Sequence, residues 1–215
     1  IGSKDDKGSQ DFLNALFGIL LSALFIFTAL ALLFAPIFIL IFAPGFYFDI
    51  QKQDLAVSLL RIMFPYLALI SLVAFAAGIQ NSHNKFSIPA ITPLIFNLSL
   101  IGSAWLVAPK IDIPVMALAW GVLLAGFLQL LFQIAPLATI KKIPIPKIDF
   151  QNPGVKKFFI IILPAIVAGG IAQINLLIDT IFASLLITGS PTWLYVSDRL
   201  IQFPMGIFAI AIGTV

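Results

Sequence analysis

The chain has 215 residues, of which 61% are apolar and only 10% charged, and its mean hydropathy of +1.12 excludes an ordinary water-soluble domain, which could not bury so much apolar surface. The absence of cysteine excludes a disulfide framework, a thiol nucleophile and any thiolate metal site. The net charge of +3 is uneven, because Lys141, Lys142, Lys147, Lys156 and Lys157 gather against Asp149 in one connection; between two apolar runs such a cluster reads as positive-inside topology, not as a nucleic-acid surface.

The apolar runs are long and continuous rather than alternating, so the expected fold is an all-α integral membrane protein, a polytopic helical bundle and not a barrel. Residues 1–11 are polar and mixed in charge and read as a cytoplasmic loop, followed by a transmembrane bundle over 12–215. The first span, 12–42, covers about 31 residues or roughly 46 Å of helix, longer than the hydrocarbon, and Pro36 is its expected kink. A short connection with interfacial aromatics, 43–54, leads to a span at 55–79 bent at Pro65, with Arg61 near its outer end to snorkel or pair with Asp54. The polar stretch 80–85 reads as a turn in which His83, the one histidine, is solvated. Spans follow at 86–107, with Pro89, Pro93 and Asn97, and at 115–137, where Gly121 and Gly126 permit close helix contact and Gln129 and Gln133 bond to neighbouring helices.

Residues 139–157 form the longest polar connection. Pro144, Pro146 and Pro153 prevent a continuous helix, and alternating Ile and Lys suggest a segment at the membrane surface among anionic headgroups. The fifth span, 158–187, is expected to break or bend at Pro164 and Gly169-Gly170, and the sixth, 193–215, at Pro204 and Gly206. Lys4, Lys7, Lys85 and the five-lysine cluster fall in alternate connections, with only Lys52 and Lys110 in the others, which sets the lysine-rich side inside. The opening at Ile1 and the end within an apolar run at Val215 suggest a piece of a longer protein.

The last two spans carry the most informative polar groups. Thr188-Gly189-Ser190-Pro191 marks a turn between antiparallel helices. Asp179 precedes Gly189 by as many residues as Arg199 follows it, so both are expected roughly 15 Å from the turn. Asn175 lies one helical turn from Asp179, and Gln173 nearby, so polar groups are expected to converge on one side of the hairpin. A charge at the bilayer centre costs at least about 3 kcal/mol, and two readings compete for Asp179, Asp198 and Arg199. One is a structural ion pair between the helices; the other is a water-filled cavity in which Arg199 meets a phosphate or pyrophosphate and Asp179 a cation. No nucleophile has a histidine partner and no phosphate-cradling glycine loop is present, so an enzyme is not expected.

The ordered set Phe64-Pro65-Tyr66, Gly78-Ile79-Gln80-Asn81-Ser82, Lys85-Phe86-Ser87-Ile88-Pro89-Ala90, Asn97-Leu98-Ser99, Ala117-Leu118-Ala119-Trp120-Gly121, Gln173-Ile174-Asn175, Asp179-Thr180 and Asp198-Arg199-Leu200 resembles the MurJ (MviN) lipid II flippase family of the MOP superfamily. The likeness runs in register from Ala43 onward. It implies helices three to eight of a fourteen-helix transporter in the bacterial cytoplasmic (inner) membrane, which flips undecaprenyl-pyrophosphate-linked lipid II for peptidoglycan assembly by alternating access. It further implies substrate binding by Arg199, Asp198 and Gln202, a sodium ion at Asp179 as the one candidate ion with no other cofactor, and structural or cavity-lining roles for Asn175 and Gln173. Lipid II and membrane lipids are the implied partners, with no nucleic acid. Val196 and Ser197 depart from the family's usual Tyr and Ala, and Gln202 from the Glu of some members. The alternatives are a MOP exporter of another lipid-linked oligosaccharide or of a drug, and a non-transporting scaffold of the cell-wall machinery.

Overall fold

The structure is a computed structural model that describes residues 2–204. It is a helical membrane bundle of eight α-helices among the described residues: α1 (Gly2–Leu33), α2 (Ala35–Phe42), α3 (Ile50–Met63), α4 (Pro65–Ser82), α5 (Ser87–Gly102), α6 (Pro114–Thr139), α7 (Pro153–Ser184) and α8 (Ser190–Pro204). Five segments are long and apolar enough to cross a membrane, at Lys7–Leu33, Ile50–Ser82, Ser87–Lys110, Pro114–Thr139 and Pro153–Ser184. The sixth expected span is seen only as α8, and the rest of it, with Gly206, lies outside the described residues.

The prolines set where the helices stop. The helix is interrupted at Phe34 and at Phe64, each just ahead of a proline at Pro36 or Pro65, because the ring removes a donor and crowds the preceding turn. Pro164 behaves differently: α7 runs through it and through Gly169-Gly170 unbroken, so the expected break in the fifth span is absent. Two further expectations are corrected. Residues 2–11 belong to α1 and are not a loop, since nothing in Lys4 to Asp11 stops a helix once the apolar run fixes its direction. Gln80, expected in a turn, lies inside α4 and is fully buried.

Of the described residues, 2–35 and 57–163 form one compact unit and 36–56 and 164–204 another. In the first unit α6 packs against α4 and α5 through a stripe of buried small residues, Ala117, Gly121, Ala125 and Gly126. Lipid supplies no hydrophobic force between helices, so close approach of small residues and interhelical hydrogen bonds do the joining. Gln133 Nε2 donates to Thr92 Oγ1 at 2.9 Å and Gln129 Nε2 to the Thr92 carbonyl at 3.0 Å. Gln80 Nε2 donates to Gln133 Oε1. Three helices are thereby tied by four buried polar side chains, as the positions of Gln129 and Gln133 suggested. Arg61 also acts in this unit, and among the described residues it forms no ion pair with Asp54. Its Nε donates to the Leu32 carbonyl at 3.4 Å, the acceptor that Pro36, four residues on, cannot serve.

The second unit ties its α2–α3 connection to the turn after α7. The Gly45 amide donates to Ser184 Oγ at 3.2 Å, and Lys52 Nζ to Thr188 Oγ1 at 3.0 Å. A Cβ at position 45 would sit 1.7 Å from the Ser184 carbonyl oxygen, so only glycine allows this approach. Asp49 caps α3 by accepting the Lys52 amide at 3.2 Å and pairs with Lys52 Nζ at 3.0 Å. These bonds to Lys52 hold the Asp49 carboxyl below its ordinary value.

Two outcomes are expected in the full-length protein. Gln133→Leu strands the polar groups of Thr92 and Gln80 and should lower unfolding stability by about 1–2 kcal/mol, measured by denaturant titration in detergent, whereas Gln151→Ser on an exposed connection should change it by less than about 0.5 kcal/mol. For Asp49, the depressed value means that its contribution is complete above the unfolded aspartate value of about 3.9 and is lost as pH falls through the folded value. A carboxyl NMR titration should place its midpoint below that of a free aspartate, and Lys52→Met should move it upward.

Candidate functional site

The polar groups singled out from the sequence all lie on α7 and α8 of the second unit. Helix α7 stops at Ser184, and Gly189, with φ of +104°, turns the chain. Such a backbone angle suits a residue without Cβ. Helix α8 then starts at Ser190, with Pro191 in its first turn, where its missing N–H costs nothing, and Trp193 donates its amide to the Gly189 carbonyl at 2.9 Å.

This geometry changes the expected depths. Because α7 ends at Ser184 and not at Ile187, Asp179 stands about 7–8 Å before its helix end, while Arg199 stands about 13–14 Å into α8. Asp179 is exposed, as are Asn175 and Gln173. Asn175 and Asp179, four residues apart, share a face of α7, but Gln173 is two residues from Asn175 and points to nearly the opposite side. The convergence expected of these groups therefore holds for Asn175 and Asp179 and fails for Gln173. Among the described residues Asp179 and Arg199 form no ion pair with each other; the geometry does not support the hairpin salt bridge.

On α8, Arg199 is exposed and Asp198 half-buried. The Arg199 guanidinium stacks over the Tyr195 ring, 5.1 Å from its centre, and its Nη1 lies 3.4 Å from Gln202 Oε1. Tyr195 sits one turn before Arg199 and Gln202 just under one turn after it, so the helix itself brings the three together. Tyr195 was not singled out from the sequence, although an aromatic four residues before Arg199 on the same helix was the signal to look for. The ring steadies one face of the planar guanidinium, and the long contact to Gln202 leaves other N–H groups directed at an oxyanion such as a phosphate.

A cation is served less fully. Among the described residues no three His, Cys, Asp or Glu side chains come together as a metal cluster. Asp179 and Asn175 supply one carboxylate and one amide oxygen on a common face, which fits part of an oxygen-ligand set for a sodium ion and leaves the remaining ligands to be found elsewhere.

Comparison with known proteins identifies the family. A family model described as the lipid II flippase MurJ matches residues 2–215. A probable lipid II flippase MurJ of Haemophilus influenzae is 38% identical over 99% of this chain and 43% of its own length. One from Buchnera aphidicola subsp. Acyrthosiphon pisum is 40% identical over 99% of this chain and 42% of its own, and one from Vibrio cholerae is 44% identical over 76% of this chain and 31% of its own. The chain thus spans less than half the length of the curated relatives it matches. On a family match over nearly its whole length, the chain belongs to the lipid II flippase MurJ family.

Proposed function

We propose that the full-length protein to which this chain contributes moves lipid II, the undecaprenyl-pyrophosphate-linked peptidoglycan precursor, across the bacterial cytoplasmic membrane by alternating access, with no chemical step of its own. The observation that carries this reading is the Arg199 guanidinium, open on α8 and steadied by Tyr195 and Gln202, with no carboxylate partner among the described residues to neutralise it. A charge kept in a membrane span at a cost of at least about 3 kcal/mol implies water or a ligand beside it. A diphosphate is the acceptor whose geometry and charge match a planar fork of donors.

In this mechanism Arg199 grips the pyrophosphate, Gln202 adds an amide to the same wall, and Asp198, half-buried on the adjoining face, orients the arginine's helix and limits how many anions the wall accepts. Asp179, with Asn175 on its face, takes a sodium ion when the cavity empties, so that the ion gradient resets the transporter. The clasp between the α2–α3 connection and the turn after α7 gives the second unit a fixed end against which α7 and α8 are held. The relatives' name, lipid II flippase, supports the cargo.

Arg199→Ala in the full-length protein removes a charge-assisted, bidentate contact worth about 1.5–3 kcal/mol and should lower lipid II export about tenfold to a hundredfold, with failure to rescue a flippase-depleted strain; Arg199→Lys should recover only part. Normal growth and export at wild-type protein levels would remove Arg199 from the cavity. Asp179→Asn should abolish the dependence of transport on a sodium gradient, and transport that still follows the gradient would rule out the ion's place there.

A further inference from the structure

The connection between α6 and α7 is pinned to α1 by its backbone. The Ile145 amide donates to Asn14 Oδ1 at 2.8 Å, the Lys147 amide to the Asn14 carbonyl at 3.1 Å, and Gln10 Nε2 to the Ile143 carbonyl at 3.1 Å. Where the strip crosses α1 at Gly18, a Cβ would lie 2.4 Å from the Lys147 carbonyl oxygen. At its far end Asn152 caps α7 by accepting the Gly154 amide at 2.9 Å, and Val155 is buried against Ala15, Leu16 and Ile19. Pro144 and Pro146 hold the intervening chain extended. The strip is therefore a fixed edge, not a slack loop.

With the backbone turned inward, the side chains face out. Ile145 is 67% exposed, Ile148 66% and Phe150 62%, and between and beside them Lys141, Lys147, Lys156 and Lys157 are exposed. The one carboxylate in the strip, Asp149, already accepts the Gln151 amide at 3.0 Å. The position of this edge is set by three candidate spans that begin or end beside it, starting at Lys7 and Pro153 and stopping at Thr139. A strip tethered at both ends to membrane spans and bound to a third lies at the level where hydrocarbon gives way to headgroups.

We propose that residues 141–157 form a preorganised docking strip for anionic phospholipids of the leaflet on that side of the membrane. Ile145, Ile148 and Phe150 enter the acyl boundary, while the four exposed lysines meet lipid phosphates. A water-borne polyanion would satisfy the lysines but leave the three large apolar side chains in water, whereas the headgroup boundary takes both. The strip belongs to the first unit and Arg199 to the second, and the proposal does not depend on the cargo assigned to Arg199.

The test uses the full-length protein in nanodiscs of mixed phosphatidylglycerol and phosphatidylcholine, with a fluorophore on Gln151→Cys and either lipid brominated as quencher. Quenching by phosphatidylglycerol should exceed that by phosphatidylcholine. The preference should fall about tenfold when Lys141, Lys147, Lys156 and Lys157 are all changed to Gln, a replacement that leaves every backbone bond to Gln10 and Asn14 in place. Gly18→Val, which keeps all the lysines but pushes the strip off α1, should also weaken it. Equal quenching by the two lipids, or an undiminished preference in the lysine variant, would overturn the proposal; an undiminished preference in Gly18→Val would overturn the preorganised strip. Quenching by neither lipid with free access for aqueous iodide would also overturn it, in favour of a soluble polyanion.

Discussion

Everything in this fold answers to one constraint: inside hydrocarbon no peptide group can be left without a hydrogen-bond partner, because no water is there to take its place. Long helices meet that demand within themselves, and the prolines are where it is locally broken. At Pro36 the consequence is visible in full. The ring cannot serve the Leu32 carbonyl, the helix divides at Phe34, and the Arg61 side chain arrives from α3 to donate to that carbonyl. An arginine that reads as an ordinary interfacial charge is in fact the repair of a neighbouring helix.

The same constraint sorts the polar side chains into two kinds. Gln80, Gln129, Gln133 and Thr92 are buried and spend their hydrogen bonds on one another, so they join α4, α5 and α6. Asp179, Asn175, Arg199 and Gln202 are exposed on α7 and α8 and keep most of theirs unspent. Hydrogen bonds made between helices fix them; exposed groups that make none between helices have bonds to offer a passing ligand. That contrast is why transport chemistry is assigned to α7 and α8, and structural work to the amides of the first unit.

Connections contribute as much as spans. Between α6 and α7 the chain is held extended by prolines and gripped by Asn14, and between α2 and α3 it is held by Gly45 and Lys52 against the turn that follows α7. In both places a glycine makes the backbone approach feasible, at Gly18 and at Gly45. Fixed connections give the helix ends defined positions.

Composition and periodicity by themselves determined that the chain spans a membrane as helices and that Gln129 and Gln133 bond across helices; the ordered set of residues along the chain, from Phe64-Pro65-Tyr66 to Asp198-Arg199-Leu200, carried the family. These are local properties, because apolar length sets a span and turn residues set its limits. The tertiary structure alone decided which groups meet. It placed Gln80 in a buried network instead of a turn, since a helix end is fixed by packing as well as by propensity. It carried α7 unbroken through Pro164 and ended it at Ser184, so that Asp179 and Arg199 stand at different distances from their helix ends. The stacking of Tyr195 under the Arg199 guanidinium, by contrast, is local, since four residues on one helix bring the two side chains to the same face.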